Sequence, residues 1–237
     1  MASFHIRKYG ESDRKWVLDL FSQGVLEQVP TTFCHLLKLR RTLVLIGGGP
    51  ISLLLVSGSW LLALTATLTL LAVLWFLARY PWKEYEVLSL CTDMSDITKS
   101  YLSEHGSCFW VAESEEQVVG IVGARPVGEP TSQKKQLELL HLCVAFEHRH
   151  QGIAKALVRT VLQFARTQGY NEVVLVTCIL QQSALAIYQG LGFQKTRQYY
   201  SSLSMRLVAA PLISGPYDHP HPPSCPVVPC QISLEGI

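Results

Sequence analysis

The chain contains no CxxC pair. Its seven cysteines, Cys34, Cys91, Cys108, Cys143, Cys178, Cys225 and Cys230, follow no regular spacing. This argues against a disulfide framework and for free thiols in a reducing compartment. Cys225 and Cys230 stand near His219 and His221, but the spacing fits no standard zinc site, so no metal is expected. A surplus of one charge is also lacking. Twenty Lys and Arg against 18 Asp and Glu leave a net charge of +2, with no basic stripe interleaved with aromatics, so nucleic acid is not an expected partner. The first 30 residues carry Arg7, Lys8, Glu11, Asp13, Arg14, Lys15, Asp19 and Glu27 around no apolar core, so they do not read as a secretory signal. There is no internal repeat.

What the chain does have is apolar character, concentrated in one place. Hydrophobic residues make up 49% and mean hydropathy is +0.23. From Thr42 to Ala78, 37 consecutive residues carry no charge. A run beyond ~18 apolar residues reads as a membrane segment. As one straight helix it would be ~55 Å long against ~30 Å of hydrocarbon. Two breaks are expected inside it, at Gly47-Gly48-Gly49-Pro50 and at Ser57-Gly58-Ser59. Trp60–Ala78 suffices for one span, and Trp60, Trp75, Tyr80 and Trp82 mark interfacial belts. Two readings stand: a single tilted span near 58–78, or a hairpin turning at Ser57-Gly58-Ser59.

Around this segment the patterning is that of an α/β (α+β) domain. Phe4–Arg7 alternates like a strand, and Asp13–Val25 has helical spacing with Trp16, Val17, Leu20 and Phe21 on one face. Thr92–Asp96 offers helix-cap residues for a helix reaching about Glu104. Phe109–Ala112 and Gln117–Val122 form a hairpin around an acidic turn. Leu137–Val144 is a strand, Gly152–Gln168 an amphipathic helix, Val173–Cys178 a buried strand and Ser183–Gly190 a short helix. Phe193–Arg206 reads as two final strands. The expected organisation is residues 1–41, the domain's first strand and helix; 42–78, the membrane segment; 79–207, the main catalytic part; and 208–237, a Pro-rich flexible tail.

One unit carries chemistry. The strand Leu139–Val144 and the turn Ala145–His148 run into Arg149-His150-Gln151-Gly152-Ile153-Ala154 and then a helix. A helix N-terminus leaves backbone N–H groups unpaired at a positive dipole end. Small residues at Gly152 and Ala154 let a diphosphate approach the backbone, and Arg149 adds a charge that binds in bidentate fashion. About 30 residues later comes Gln181-Gln182-Ser183-Ala184-Leu185-Ala186-Ile187-Tyr188-Gln189-Gly190-Leu191-Gly192-Phe193.

Together these motifs resemble the GNAT acetyltransferase superfamily. Its first signature is matched by Arg149, Gly152 and Ala154. Its second is matched by Ala184, Ile187, Tyr188, Gly192 and Phe193, with Gln181 where Asn is usual. The hydrophobic insertion and the segment His148–Val158 resemble more closely the camello-like group, which includes a cysteine S-conjugate N-acetyltransferase. The resemblance covers about residues 1–207. It implies a mixed central sheet with flanking helices and acetyl-CoA as co-substrate. The pyrophosphate would lie on Arg149, His150, Gln151, Gly152, Ile153 and Ala154, and the pantetheine along Cys143, Val144 and Ala145 with Gln181, Ala184 and Tyr188. Tyr188 is the implied general acid. For the base, the strand offers Glu138 and His141. They are three positions apart and so face opposite sides unless a bulge intervenes. Glu138, a carboxylate in an apolar strand, is the favoured base.

The expected partners are acetyl-CoA, an amine acceptor and a lipid bilayer. The acceptor is a small amino-acid-type amine such as a cysteine S-conjugate. Alternatives are a protein lysine or N-terminus, or a non-enzymatic membrane regulator of cell adhesion with a degenerate fold. Lys38, Arg40 and Arg41 on one flank and Arg79 and Lys83 on the other, together with a first strand that must join the later sheet, favour a hairpin. The catalytic domain then faces the cytosol, at the endoplasmic reticulum.

Overall fold

A computed structural model describes residues 4–103, 105–127, 135–195, 198–200 and 202–210, and the backbone of 230–233. The described residues form a seven-stranded sheet in the order β1-β2-β3-β4-β5-β7-β6. Its strands are β1 (His5–Lys8), β2 (Cys108–Ser114), β3 (Gln117–Pro126), β4 (Gln136–Val144), β5 (Glu172–Leu175), β6 (Gln194–Lys195) and β7 (Cys230–Ser233). The pairs β1–β2, β2–β3 and β3–β4 are antiparallel, β4 and β5 run parallel, and β7 pairs antiparallel with both β5 and β6.

Alternation along the strands sends side chains into two cores. Helix α5 (Ile153–Thr167) covers one face through Ile153, Leu157, Val158 and Val161, packed on Ala112, Leu137 and Leu139. The other face is covered by α1 (Arg14–Leu26), α2 (Gln28–Lys38) and the end of α4 (Trp60–Cys91), through Val17, Phe21, Val29, Ala78 and Trp82. Two glycines permit the close approach. A Cβ on Gly24 would come within 2.8 Å of Cys143 Sγ, and one on Gly120 within 3.1 Å of Ile153 and Leu157.

The apolar segment folds as two helices, α3 (Arg40–Ser57) and α4, joined by Gly58 and Ser59. Gly58 takes a left-handed φ of 65° and returns its N–H to Leu54 O at 2.8 Å, which ends α3. The break expected at Gly47–Pro50 does not occur. Pro50 lies inside α3, and the helix tolerates the missing N–H and continues to Ser57. Both helices are long and apolar enough to cross a membrane, and they leave large side chains uncovered: Leu55 is 80% exposed, Val56 89% and Phe76 75%.

Three other expectations change. No helix spans 92–104: α4 continues to Cys91, and the cap residue Asp96, whose carboxylate accepts from Lys99 N–H at 2.9 Å, opens a single π-helical turn, Thr98–Leu102. Only Gln194–Lys195 of the segment 193–206 is strand. Ser202 accepts the Met205 N–H and starts a short helix, α7 (Leu203–Leu207), which buries Met205 against the α1 side. Within the segment read as a tail, Val208 and Ala210 are buried, and Cys230–Ser233 forms β7, filling the place between β5 and β6.

Candidate active site

Strands β4 and β5 pair from Gln136↔Glu172 to Leu139↔Leu175, and β4 then runs on to Val144 without β5 beside it. Where the two strands part, β4 carries a bulge. Ile121 pairs with Cys143 and Gly123 with Leu140, so three steps on β4 oppose two on β3. The extra residue is accommodated at His141, in the left-handed region at φ 53°. For a residue other than glycine this costs about 1–3 kcal/mol and persists only where the surroundings enforce it. The bulge also cancels the alternation that would have set Glu138 and His141 apart. Leu140 and Cys143 pack on the α1 side, and the His141 ring meets Phe21, Tyr85 and Tyr101 on that same side.

His141 is enclosed, its side chain 3% exposed. Nε2 lies 2.6 Å from Asp93 Oδ2, and Nδ1 lies 3.1 Å from the Tyr85 hydroxyl. Tyr101 donates its hydroxyl to the same Asp93 oxygen. Burial opposes ionisation of Asp93, but the hydrogen bond and charge of His141, with help from Tyr101 and Arg125, outweigh it and hold the carboxyl well below the usual carboxylate range. Burial, then Asp93, pushes the Tyr101 hydroxyl the other way, well above the usual phenol range. Glu138 has a cation beside it on the neighbouring strand. Its Oε2 lies 3.5 Å from Arg125 Nε on β3.

The turn after β4 has the features of an anion site. His150 and Gly152 both have positive φ, 62° and 86°. Helix α5 starts with no side-chain cap and no acidic residue in its first turn, and its first i to i−4 bond is Ala156 N–H to Gly152 O at 3.0 Å. The N–H groups before Ala156 therefore lack helical partners. Ile153 is buried and anchors the turn, while His150, Gln151 and Gly152 are exposed and Ala154 is half-buried. A Cβ on Gly152 would meet nothing within 4 Å, so the space above the turn is open. Arg149 donates Nε to Val144 O at 3.1 Å, and its Nη2 meets Glu27 just beyond α1. These residues suit a diphosphate.

The remaining predicted residues distribute as follows. The Ala145 N–H is donated to Val119 O at 2.8 Å, so that amide is spent within the sheet, and strand alternation turns Val144 toward the β5 side. The Cys143 thiol is pushed up to about 12 by burial, which removes it as a nucleophile at neutral pH. Gln181 precedes α6 (Gln182–Gly190) and braces its own turn: its Oε1 accepts from Thr177 Oγ1 and from Cys178 N–H. Ala184 and Tyr188 belong to the α5-side core, with Tyr188 5% exposed and edge-on to Phe193 at 5.7 Å. His141 and Tyr188 thus sit on opposite faces of the sheet. Sequence reading missed Tyr85, Asp93, Tyr101, Arg125 and Glu27. Asp93 had the look of a helix cap, and the others lie in no motif.

Residues 69–193 match the acetyltransferase (GNAT) family. The chain is 62% identical to human N-acetyltransferase 8 over 209 residues, 88% of this chain and 92% of the relative. It is 58% identical to rat N-acetyltransferase 8F1 over 220 residues, 93% and 99% of the two chains. Among solved structures, a putative phosphinothricin N-acetyltransferase has the same fold with a TM-score of 0.53 at 11% identity, over 98% of this chain and 99% of that one. A GNAT acetyltransferase from Staphylococcus aureus Mu50 gives 0.52 at 16% identity, over 82% and 87%.

Proposed function

The chain belongs to the GNAT acetyltransferase family, in its camello-like group of acetyl-CoA-dependent N-acetyltransferases, and from that premise we propose that it acetylates a small amino-acid-type amine at a membrane surface, from the cytosolic side of the endoplasmic reticulum. One observation carries the reading. Helix α4 is unbroken from the exposed apolar stretch at Trp60 to Tyr85, whose hydroxyl meets His141 beside the opening of β4 from β5. Leu77 and Tyr85 are eight helical steps apart, about 12 Å. An amine with an apolar substituent, such as a cysteine S-conjugate, would partition into the bilayer and present its polar end at that height.

Connectivity supports the hairpin. β1 precedes α3 and α4, yet pairs with β2, which follows them, so both flanks of the apolar segment lie on one side. A helix of 18 residues spans about 27 Å, close to the hydrocarbon thickness. Lys38, Arg40, Arg41, Arg79 and Lys83 cluster on those flanks, which supports the cytosolic side.

Acetyl-CoA supplies the acetyl group as a thioester. The N–H groups at the start of α5, with Arg149, would hold its pyrophosphate, and Val144, on the open edge of β4, its pantetheine arm. Tyr188 would give a proton to the departing thiolate, the role its motif implies. Glu138 and His141 stand on the acceptor face as candidate bases.

The test is a microsomal assay with labelled acetyl-CoA against S-conjugates, free amino acids and peptides. Acetylated S-conjugates, abolished by Gly152→Glu, are expected. Labelling of peptides alone would move the reading to protein acetylation, and no labelled acceptor would end it. Protease protection of tagged microsomes tests the topology: a shielded C-terminal tag with an exposed N-terminal tag would refute the hairpin.

A further inference from the structure

Both ring nitrogens of His141 are engaged, which decides how this residue takes part. Asp93, as a carboxylate, only accepts, so His141 Nε2 carries the hydrogen and donates to it at 2.6 Å. In the neutral ring Nδ1 is then the acceptor, and it faces the Tyr85 hydroxyl at 3.1 Å. His141 is enclosed, and Tyr85 is the half-buried member of the pair.

Resting on the acetyltransferase reading, we infer that Tyr85, His141 and Asp93 form a proton relay in which the Tyr85 oxygen takes the proton from the acceptor ammonium. As that N–H bond breaks, the Tyr85 O–H proton passes to His141 Nδ1, and the hydroxyl is restored by the proton taken up. His141 then carries the positive charge, balanced by Asp93. The freed amine attacks the thioester carbonyl, forming the C–N bond as the C–S bond breaks. Tyr188 protonates the thiolate, and the nitrogen's second proton restores the Tyr188 hydroxyl. Tyr85 is the catalytic residue of this set. His141, Asp93 and Tyr101 act through it, Tyr101 by fixing Asp93 Oδ2. Arg125, which interacts with Glu138 and with Asp93 and Tyr101, is a further charge facing the cluster.

The geometry has a local cause. The bulge swings the His141 ring onto the α1 side, where Phe21 meets it edge-on at 5.0 Å and Tyr85 stacks at 6.3 Å. Gly123 makes room for Tyr101, since a Cβ there would come within 2.9 Å of its ring.

The experiment uses the full chain in proteoliposomes, with acetyl-CoA and S-benzylcysteine. Tyr85→Phe keeps the ring and removes the hydroxyl. It should lower kcat by about 10²–10⁴-fold, the usual worth of a general base, and leave the KM for acetyl-CoA within about twofold. Asp93→Asn should lose a similar factor, and the double variant little more than the worse single, because the residues act as a unit. In Tyr85→Phe only acceptor already neutral in solution reacts, so kcat/KM should rise about tenfold per pH unit up to the acceptor amine's own pKa. If Tyr85→Phe keeps wild-type kcat while Glu138→Gln loses it, the base is Glu138 and the relay is overturned. Parallel losses in kcat and acetyl-CoA affinity, with a lowered melting temperature, would make the cluster structural and overturn it equally. If the wild-type chain transfers acetyl to no acceptor, the function itself fails, a distinct result.

Discussion

Glu27→Gln should tighten acetyl-CoA binding. Glu27 follows the last residue of α1, and its carboxylate holds Arg149 Nη2, a cation beside the proposed diphosphate site. Cofactor and Glu27 therefore compete for one guanidinium. The pair is partly open to water, with side chains 37% and 35% exposed, so its strength is that of a screened surface pair, about 0.5–1 kcal/mol. Removing the carboxylate returns that amount to cofactor binding, a twofold to fivefold lower Kd. Arg149→Ala works in the opposite direction. It removes charge-assisted bonds worth about 1.5–3 kcal/mol and should raise Kd about tenfold to 150-fold. Calorimetric titration of the reconstituted chain with acetyl-CoA reads both. The decisive arm is the double variant. With Arg149 absent, Glu27→Gln has no competition to relieve and should gain nothing beyond a salt-sensitive remainder that fades by 0.5 M. An unchanged or weaker affinity in Glu27→Gln, or the same gain with and without Arg149, would refute competition.

Two further outcomes are expected. Gly24→Ala drives a methyl to 2.8 Å from Cys143 Sγ and should cost about 1–3 kcal/mol of strain, offset in part by about 1 kcal/mol of helix propensity. Its melting temperature should fall and recover in Gly24→Ala/Cys143→Ala, and a single variant as stable as wild type would contradict the packing. Arg7 bonds Asp13 at 2.6 and 2.9 Å and, against opposing burial and with the Gly10 N–H, holds its carboxyl below the ordinary range. The folded pKa is thus lower than the unfolded one. The stability it contributes is complete above about pH 4 and is lost as pH falls toward the folded value. The melting-temperature gap between wild type and Asp13→Asn should narrow over that acid range, and a gap that persists there would contradict it.

The fold was legible wherever pattern and structure share a period. Helix α5, the β2–β3 hairpin and the turn at Gly152 declare themselves through alternation, helical spacing and two motifs. β7 did not, because Cys230–Ser233 follows a run of prolines and joins the sheet only through partners far away in sequence. The acceptor side was half legible. Glu138 and His141 were found because they lie on the strand before the turn, but parity put them on opposite faces. The bulge that reverses this depends on a left-handed φ that no local residue type announces at His141. Tyr85 and Asp93 come from the far end of α4 and the turn after it, 56 and 48 positions from the histidine they contact.

Helix α4 is continuous over 32 residues, a helical rise of about 48 Å, with Pro81 inside it. In the bilayer reading, its lower part floats in lipid and its upper end holds a hydroxyl against the imidazole. Such a rod is a ruler. With the apolar stretch in lipid, it would fix the stand-off of the reacting group above the hydrocarbon, and the membrane would become a wall of the substrate site, admitting amines by how deep their tails ride. Lipid chain length would then act as an adjustable parameter of specificity, since a thicker or thinner bilayer changes how deep an amine's tail rides below Tyr85, which the core around Ala78 and Trp82 holds against β4.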